Sequence, residues 1–270
     1  MAYIYDVNGN IIDVGGGGTA SAIDYDECVK GIAHRGYSTV APENTLPAYK
    51  LAKQMGFNYV EADIVYTSDN VPVLSHDTTI DRCSDGSGTI SNMTFEQLQQ
   101  YDFGSWKSSV YAGTKIPSAS QFLSLCKALG LHPYFDLRNA TQAQYQILVD
   151  AVEANGMKGH VTYVSGSSNL NIIKTLDPSA RVGIIHNSAI TASTITTAQG
   201  LKTDTNDVFI DCDNYYANSE ACVLCQGGDI PLEIWTVNTT SAILNMNPYI
   251  TGVTSDGIIA GKVLYEANIT

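Results

Sequence analysis

The sequence predicts an α/β fold of the (β/α)8 barrel type. From residue 31 onward, eight short apolar runs alternate with seven helix-like segments. Alternating strands and helices are typical of parallel sheets, and eight strands joined by seven helices are what a closed (β/α)8 barrel requires. The chain has 270 residues, of which 44% are hydrophobic and 15% charged, and this is enough apolar material for one large core.

Each predicted element has its own signal in the chain. The strands are apolar runs bounded by turn residues, and several of the helices end at Gly or Pro. The predicted strands are 31–36, 59–66, 132–138, 161–166, 181–186, 207–213, 231–238 and 250–258. The predicted helices are 44–56, 118–130, 141–156, 169–176, 190–202, 218–227 and 239–249, with a final short helix at 262–267.

Residues 1–30 differ from the rest of the chain and are predicted to be an extension of a barrel domain at 31–270. Asn8 and Gly9 form a strong hairpin turn signal between two short β-prone arms, and four glycines follow at 15–18. The hairpin is expected to pack on the closed end of the barrel or to be a disordered tail. Alternatively, it is an attachment element that forms a homo-oligomer.

The segment 67–131 is too long for a simple loop after the second strand. It contains a short predicted helix at 94–101. Loops that follow the strands of such a barrel open onto its C-terminal face, where active sites lie. We therefore interpret this insertion as a lid over the site rather than as a separate domain.

The composition limits the partners of the protein. A net charge of −13 disfavours nucleic acid and anionic membranes as partners, so an anionic substrate requires a local positive centre. No apolar stretch is long enough to span a membrane, and no secretory signal is visible, which predicts a cytoplasmic protein. The six scattered cysteines are then expected to be free thiols.

Acidic residues on two predicted strands indicate a metal site. Glu61 and Asp63 share one face of the second strand, because strand side chains alternate, and their neighbours on the other face are apolar. Asp136 and Arg138 share a face of the third strand in the same way. Carboxylates that converge in a barrel mouth repel each other unless a cation neutralises them, and oxygen ligands favour Mg²⁺, Ca²⁺ or Mn²⁺ over Zn²⁺.

Two histidines are candidates for acid and base catalysis. His34 ends the first strand and is followed by Arg35 and Gly36, which suit the binding of an anion. His76 follows the second strand. Two imidazoles beside one metal ion can divide the roles of general acid and general base near neutral pH. The alternative for each histidine alone is a structural role.

A set of motifs then resembles the glycerophosphodiester phosphodiesterase family. The similar stretches are His34-Arg35-Gly36, Ala41-Pro42-Glu43-Asn44-Thr45, Val60-Glu61-Ala62-Asp63, Pro72-Val73-Leu74-Ser75-His76-Asp77, Trp235-Thr236-Val237-Asn238 and Asp256-Gly257-Ile258-Ile259. The resemblance implies a TIM barrel with a small insertion after the second strand. It also implies metal-dependent hydrolysis of a small-molecule glycerophosphodiester to glycerol phosphate and an alcohol.

By this resemblance, His34 and His76 are the catalytic pair, and Glu61, Asp63 and Asp136 hold the metal ion. Arg35 and Arg138 are expected to bind the phosphate, and Trp235 to form an apolar wall for the alcohol. The alternative for Trp235 is a place in the core beneath a loop. The resemblance gives Glu43 a supporting role in the site, while its position before a predicted helix equally suggests a helix cap.

The chain departs from the family pattern on the third strand, where Asp136-Leu137-Arg138 replaces the usual Glu-x-Lys. Both changes keep the charge, so activity is expected with altered metal geometry or substrate preference. The departure and the hairpin leave an alternative open, which is a surface or phage appendage module that binds or cleaves glycerol-phosphate polymers. Such a module would be located on a surface or a virion. A phosphodiesterase with another headgroup, similar to a lysophospholipase D, is a third interpretation.

Two further features are expected to be structural. Asp211 and Asp213 share a face of the sixth strand, and a solvated strand end is favoured over an extension of the polar rim. Cys222 and Cys225 have redox-motif spacing, but they fall on a predicted helix with no second pair of ligands.

Overall fold

A computed structural model describes residues 3–5, 11–13, 29–203, 207–259 and 262–263. Eight parallel strands in this part of the chain form a closed barrel with helices between them, as the sequence predicts. The strands are β1 Tyr3–Tyr5, β2 Ile11–Asp13, β3 Lys30–Ala33, β4 Tyr59–Tyr66, β5 Pro72–Leu74, β6 His132–Leu137, β7 Thr162–Ser165, β8 Arg181–His186, β9 Val208–Asp213, β10 Leu232–Trp235 and β11 Ile250–Ser255.

The barrel follows the order β3, β4, β6, β7, β8, β9, β10 and β11, and it closes because β11 pairs with β3. All of these pairings are parallel. β5 is outside the barrel and pairs in antiparallel fashion with the C-terminal end of β4. Consecutive barrel strands are therefore neighbours. The C-terminal ends of β3, β4 and β6 consequently lie side by side at the barrel mouth.

Several of the helices begin at a side-chain cap. They are α1 Leu46–Gln54, α2 Phe95–Leu98, α3 Ala119–Leu129, α4 Gln142–Ala154, α5 Ser167–Leu176, α6 Ala192–Leu201, α7 Ser219–Gly228 and α8 Thr240–Leu244. Ser118 and Thr141 lie just before α3 and α4 with extended backbones, and each forms a capping box with a glutamine three residues on. α8 ends earlier than predicted, because Pro248 disfavours helical backbone at Asn247.

The two faces of the barrel strands are buried in different layers. Val60, Ala62 and Ile64 are fully buried between the barrel and its helices, which confirms the apolar outer face predicted for this strand. The barrel interior contains a smaller apolar cluster formed by Ile32, Tyr134, Val164 and Phe209.

A buried ionic cluster occupies the barrel interior near the N-terminal ends of the strands. The Glu233 carboxylate accepts hydrogen bonds from Lys30 Nζ and Arg181 Nη2, both at 2.8 Å. The Arg181 guanidinium also lies over the Phe209 ring, 4.1 Å from its centroid. Burial raises the pKa of Glu233, but Arg181 and Lys30 outweigh burial and hold this pKa below its ordinary value. Glu233 is therefore ionised, and it links β10 to β3 and β8 at the N-terminal end of the barrel interior, which we call the barrel floor.

The insertion after β4 has a small apolar core of its own. This core consists of Val65, Val73, Ile80, Ile90, Leu98, Phe103 and Ile116. Arg82 from the insertion pairs with Glu43, which precedes α1, and Lys107 Nζ donates to the Ser38 carbonyl at 2.6 Å. The insertion is thus tied to the loop that joins β3 to α1.

The ends of the chain are described only in part. β1 and β2 pair in antiparallel fashion with Ile4 opposite Ile12, as the predicted hairpin requires. The turn residues Asn8 and Gly9, the glycines at 15–18 and Cys28 lie outside the described residues, and so does the end of the helix predicted at 262–267. None of the helices described is long and apolar enough to cross a membrane.

Candidate active site

A cavity of about 580 Å³ opens at the C-terminal end of the barrel strands. It brings together all eight residues that the sequence analysis selected. These are His34, Arg35, Glu61, Asp63, His76, Asp136, Arg138 and Trp235. They come from the ends of β3, β4, β6 and β10 and from the segment after β5, so closure of the barrel gathers residues that are far apart in the sequence.

Three carboxylates form a compact group in the wall of this cavity. Glu61 and Asp63 lie on β4, and Asp136 on β6 is the register partner of Asp63. One oxygen from each carboxylate lies within 4.8 Å of the other two. This arrangement of oxygen atoms suits a hard divalent cation.

Burial and mutual repulsion destabilise the ionised forms of these three acids. The pKa of Glu61 is raised well above its ordinary value, first by burial and then by Asp63 and Asp136. Burial, followed by repulsion from Asp63, raises the pKa of Asp136 to about 6. A bound cation would remove this repulsion, so the residues fit the metal site that the sequence predicts.

Asn44 positions the most buried of the three carboxylates, Asp63. Its Nδ2 donates to Asp63 Oδ2 at 2.8 Å, and its Oδ1 accepts from the Asp63 backbone N–H at 3.2 Å. The Tyr49 hydroxyl donates to the same Oδ1 at 3.0 Å. Asn44 has a φ of 56°, a left-handed conformation that Asn tolerates better than most residues. The sequence predicted a helix at Asn44 and did not indicate this role.

Arg35 connects two of the carboxylates to the loop before α1. Its backbone N–H donates to Glu61 Oε2 at 2.9 Å, its Nε lies 3.2 Å from Asp63 Oδ2, and its Nη1 donates to Glu43 at 2.9 Å. Arg35 has a φ of 57°, which is uncommon for a residue other than Gly, Asn or Asp. The turn after β3 therefore directs both the backbone and the side chain of Arg35 toward the acidic group.

Glu43 is a link between two arginines and not a helix cap. It accepts from Arg82 Nη1 at 2.8 Å and Nη2 at 2.9 Å as well as from Arg35. Burial raises the pKa of Glu43, but the bonds from Arg82 and Arg35 outweigh burial and lower it. The N-cap of α1 is Thr45, so the cap interpretation of Glu43 is wrong.

Each histidine of the cavity has its own carboxylate partner. His34 Nδ1 lies 2.7 Å from Asp256 Oδ1, and His76 Nδ1 lies 2.8 Å from Asp77 Oδ1. Arg82 Nε donates to Asp77 at 2.7 Å and is the main cause that lowers the pKa of Asp77 to about 2. Both imidazoles are thus held through Nδ1, which leaves Nε2 as the nitrogen that can reach a substrate.

Asp256 has further partners that fix its position. It accepts from the Ser38 hydroxyl at 3.2 Å and from Asn238 Nδ2 at 2.5 Å. The bond to His34 is the first cause that lowers the pKa of Asp256. An ionised Asp256 therefore orients the His34 ring, a role that the sequence analysis did not assign.

Arg138 lines the cavity, and its Nη2 donates to Asp63 Oδ1 at 2.9 Å and lies 3.9 Å from Asp136 Oδ2. Gly36 packs against α1, where an added Cβ would lie 2.7 Å from the Cβ of Ala48. The glycine is required for packing of the β3–α1 turn.

The wall opposite the carboxylates contains Trp235 and Asp211. Trp235 is partly exposed to the cavity, and its Nε1 donates to the Asp211 carbonyl at 3.3 Å, so the alternative of a core tryptophan is wrong. The Asp211 side chain also lines the cavity, and the residue is 8% exposed. The expectation of a solvated strand end is therefore wrong for Asp211. Asp213 instead accepts from the Tyr215 N–H and caps a short 3₁₀ turn.

The described cysteines are free thiols. Cys222 and Cys225 are buried on α7, and burial raises the pKa of both. Their thiols are thus held in the protonated form at neutral pH, which fits the structural role that the sequence predicts.

The fold and the site define a (β/α)8 barrel protein whose mouth holds an acidic group and two histidines. Comparison with known proteins identifies its family. Residues 34–259 match the sequence profile of the glycerophosphoryl diester phosphodiesterase family. The chain belongs to this family. Its (β/α)8 barrel is the TIM barrel fold of the related structures.

Relatives of the chain carry the same family name. It is 41% identical over 112 residues to glycerophosphodiester phosphodiesterase 1 of Rattus norvegicus, a match that covers 41% of this chain and 34% of the relative. Over 159 residues it is 28% identical to a glycerophosphodiester phosphodiesterase of Caldanaerobacter subterraneus, which covers 57% of this chain and 65% of that one. The chain therefore spans about a third of the length of the mammalian relatives that it matches.

A solved structure resembles nearly the whole chain. It is a phosphodiesterase from Oleispira antarctica in complex with the product sn-glycerol-3-phosphate. The TM-score is 0.78 at 25% sequence identity, and the match covers 90% of this chain and 98% of that one.

Proposed function

We propose that this protein hydrolyses glycerophosphodiesters to glycerol phosphate and an alcohol, with a divalent cation and two histidines. Family membership and the names of its relatives support the reaction class. One observation carries the proposal at the level of chemistry. Two imidazoles, each held through Nδ1 by a carboxylate, line the same cavity as a compact group of three acids.

Glu61, Asp63 and Asp136 would hold the cation, which we expect to be Mg²⁺, Ca²⁺ or Mn²⁺ because the ligands are carboxylate oxygens. The bound ion supplies Lewis-acid stabilisation of the phosphate charge and a template for the substrate. Asn44 and Arg35 keep the acids in place in this role, because each bonds to a different oxygen of the group.

Arg35 and Arg138 supply the remaining positive charge for the phosphate. Both guanidinium groups line the cavity and contact Asp63, so they lie beside the proposed cation. The fork of an arginine matches two phosphate oxygens, which a lysine cannot do. We propose that Arg138 is the more adaptable of the two, because its side chain is 39% exposed against 18% for Arg35.

The two histidines would move protons on opposite sides of the phosphorus. Nε2 of one imidazole accepts the proton of the glycerol hydroxyl adjacent to the phosphate, and that oxygen attacks the phosphorus. Nε2 of the other donates a proton to the oxygen of the leaving alcohol, and the P–O bond to this alcohol breaks. The product of this step is a cyclic glycerol phosphate. Water then opens the ring with the proton transfers reversed, which gives glycerol phosphate.

Substitution of the histidines tests this proposal. We expect His34→Ala and His76→Ala each to lower kcat by about 10²–10⁴-fold, the range that general acid or base catalysis contributes. Cation affinity, measured by isothermal titration calorimetry, should stay within about twofold, because the histidines are outside the acidic group. The matched control is His186→Ala, since His186 ends β8 and does not line the cavity. A normal rate in either of the first two variants would show that the assignment is wrong.

A further inference from the structure

A second cavity lies at the opposite end of the barrel from the candidate active site. It has a volume of about 180 Å³ and is formed by the N-terminal ends of β3, β4, β6, β7 and β8 together with the loop before β7. We call it the floor cavity. Its lining includes Lys30, Tyr59, His132, Tyr134, His160 and Arg181. The proposed reaction uses none of these side chains, so the floor cavity is not explained by it.

The floor cavity is basic although the protein is acidic. The chain has a net charge of −13, yet a lysine, an arginine and two histidines line this cavity, and no acidic residue is among the described residues that do so. Lys30 and Arg181 share one carboxylate, that of Glu233, which does not line the cavity. Two cations on one carboxylate leave an excess of positive charge. Such a local positive region attracts anions.

The basic groups have hydrogen-bond donors that the described residues do not use. Lys30 Nζ donates to Glu233 Oε1 at 2.8 Å and to no other described residue, although an ammonium carries three N–H donors. Arg181 uses Nη1 and Nη2 for its bonds to Tyr134 and Glu233, whereas its Nε bonds to no described residue. The His160 ring also makes no hydrogen bond in the part of the chain that the structure describes. The Lys30 and Arg181 side chains are 25% and 26% exposed, so a dissolved ion can reach them.

The placement of these donors favours a tetrahedral anion. They come from the start of β3, the start of β8 and the loop before β7, and three strands separate β3 from β8 around the barrel. A carboxylate presents two oxygens in one plane, whereas a phosphate presents oxygens in four directions and can accept from several sides at once. Arginine and lysine are also the side chains that most commonly bind phosphate. The cavity is several times larger than the roughly 30 Å³ that a water molecule fills in the liquid, so it has room for such an ion.

We propose that the floor cavity binds a phosphate-type anion, which is either orthophosphate or a phosphate monoester such as glycerol phosphate. Lys30, Arg181 and His160 donate to its oxygens, while Glu233 holds the lysine and the arginine in place. This site is distinct from the active site, because it lies at the other end of the barrel and contains none of the three carboxylates of the acidic group. The inference does not depend on the proposed hydrolysis.

Calorimetric titration of the full chain with sodium phosphate and with sn-glycerol 3-phosphate tests this site. Excess chelator and constant ionic strength keep divalent cations and general salt effects out of the measurement. We expect the wild type to bind phosphate, and Arg35→Gln, which removes a guanidinium from the active-site cavity, to retain this binding. Lys30→Gln should weaken it by about tenfold or more, the value of one charge-assisted hydrogen bond, and His160→Gln by about threefold.

The matched control is Lys158→Gln. Lys158 is exposed beside Gly159 of the floor cavity and carries the same charge as Lys30, but it does not line the cavity. Its removal should change the affinity less than about twofold, because salt screens exposed charges. Thermal melts show which variants are folded. If Lys30→Gln does not fold, His160→Gln decides the question, because the His160 ring is exposed and bonds to no described residue.

The two ligands distinguish the possible sources of the phosphate. Tighter binding of sn-glycerol 3-phosphate would identify a phosphate monoester as the ligand, and tighter binding of orthophosphate would identify the free ion. The proposal is overturned if the wild type binds neither anion at millimolar concentrations, or if Arg35→Gln abolishes the binding. It is also overturned if the folded floor-cavity variants bind as tightly as the wild type, or if Lys158→Gln weakens binding as much as they do.

Discussion

The two candidate catalytic histidines are held by carboxylates that have different partners. Asp256 accepts from Ser38 and Asn238 in addition to His34, whereas Asp77 is held by Arg82 from the insertion. A carboxylate on Nδ1 fixes the tautomer that leaves Nε2 free to exchange a proton with the substrate. Both acids are thus positioning residues, since they act through an imidazole.

Replacing these carboxylates with amides tests the positioning role. In Asp77→Asn and Asp256→Asn the amide can donate to Nδ1 and so stabilise the wrong tautomer. We expect kcat to fall by about 10²-fold or more while KM changes little, as measured by steady-state kinetics. Asp213→Asn is the control, because Asp213 ends β9 and does not line the cavity. A KM effect with an unchanged kcat would indicate that the carboxylates serve binding instead.

Asp136 links cation binding to pH. Its pKa is raised to about 6 in the cation-free protein, so it is largely protonated below that pH and must lose its proton to bind a metal ion. Affinity should therefore fall as the pH is lowered through about 6, by about tenfold per unit from this one group, and the raised pKa of Glu61 adds a loss in the same direction. Calorimetric titration with Mg²⁺ at pH 5, 6 and 7 in two buffers measures both the affinity and the proton release. A dissociation constant that is the same at pH 5 and pH 7 would contradict this coupling.

Site residues were predictable from the sequence where the alternation of strand side chains determines which way they point. Glu61, Asp63 and Asp136 face the cavity because each lies on the interior face of its strand, and the sequence shows that periodicity directly. Asn44 and Asp256 were not predicted to act in the site, because a turn conformation and a contact across the closed barrel place them. Asp211 was judged solvated because strand alternation does not reveal how deeply a residue lies in the barrel.

At the scale of elements, the sequence located all eight barrel strands and the seven helices between them. Two strands, β4 and β8, have the predicted bounds, and most other ends differ by a few residues. The largest difference among the helices is α8, where a proline ends the helix early. Much of the remaining difference between predicted and observed helix starts comes from the N-cap residues. An N-cap residue stabilises the helix but has extended backbone, so the helix itself begins one residue later.

The interior cluster of β10 was not apparent from the sequence. Glu233 lies two residues before Trp235 on the same face of β10, yet the two residues lie toward different ends of the barrel. Glu233 binds Lys30 and Arg181 at the floor, and Trp235 lines the cavity at the mouth. The pairing depends on closure of the barrel, which brings β3 and β8 toward β10, so no local pattern could predict it.

Removal of Glu233 should therefore affect stability. Glu233→Ala leaves Arg181 and Lys30 without their shared partner in the barrel interior, and we expect a loss of about 3–5 kcal/mol in the free energy of unfolding. Urea denaturation followed by circular dichroism measures it. The matched control is Asp229→Asn, which removes an exposed pair with Lys202 and should cost less than about 1 kcal/mol. Equal losses in the two variants would contradict the role of the cluster.

At the scale of the molecule, barrel closure creates the site. His34 and Asp256 are 222 positions apart in the chain, yet they touch because β11 pairs with β3. The insertion completes the mouth through Arg82, which bonds to both Glu43 and Asp77. The role of residues 1–30 as an extension that mediates a homo-oligomer stays a prediction, as does the location of the protein.

The most direct measurement of the central claim is hydrolysis of glycerophosphoglycerol and glycerophosphoethanolamine before and after removal of divalent cations. We expect the rate to fall to background in excess chelator. Addition of Mg²⁺, Ca²⁺ or Mn²⁺ should restore the rate in the wild type but not in Asp63→Asn, which lacks the most buried carboxylate of the group. An undiminished rate in excess chelator, or a normal rate in Asp63→Asn, would contradict a cation held by Glu61, Asp63 and Asp136.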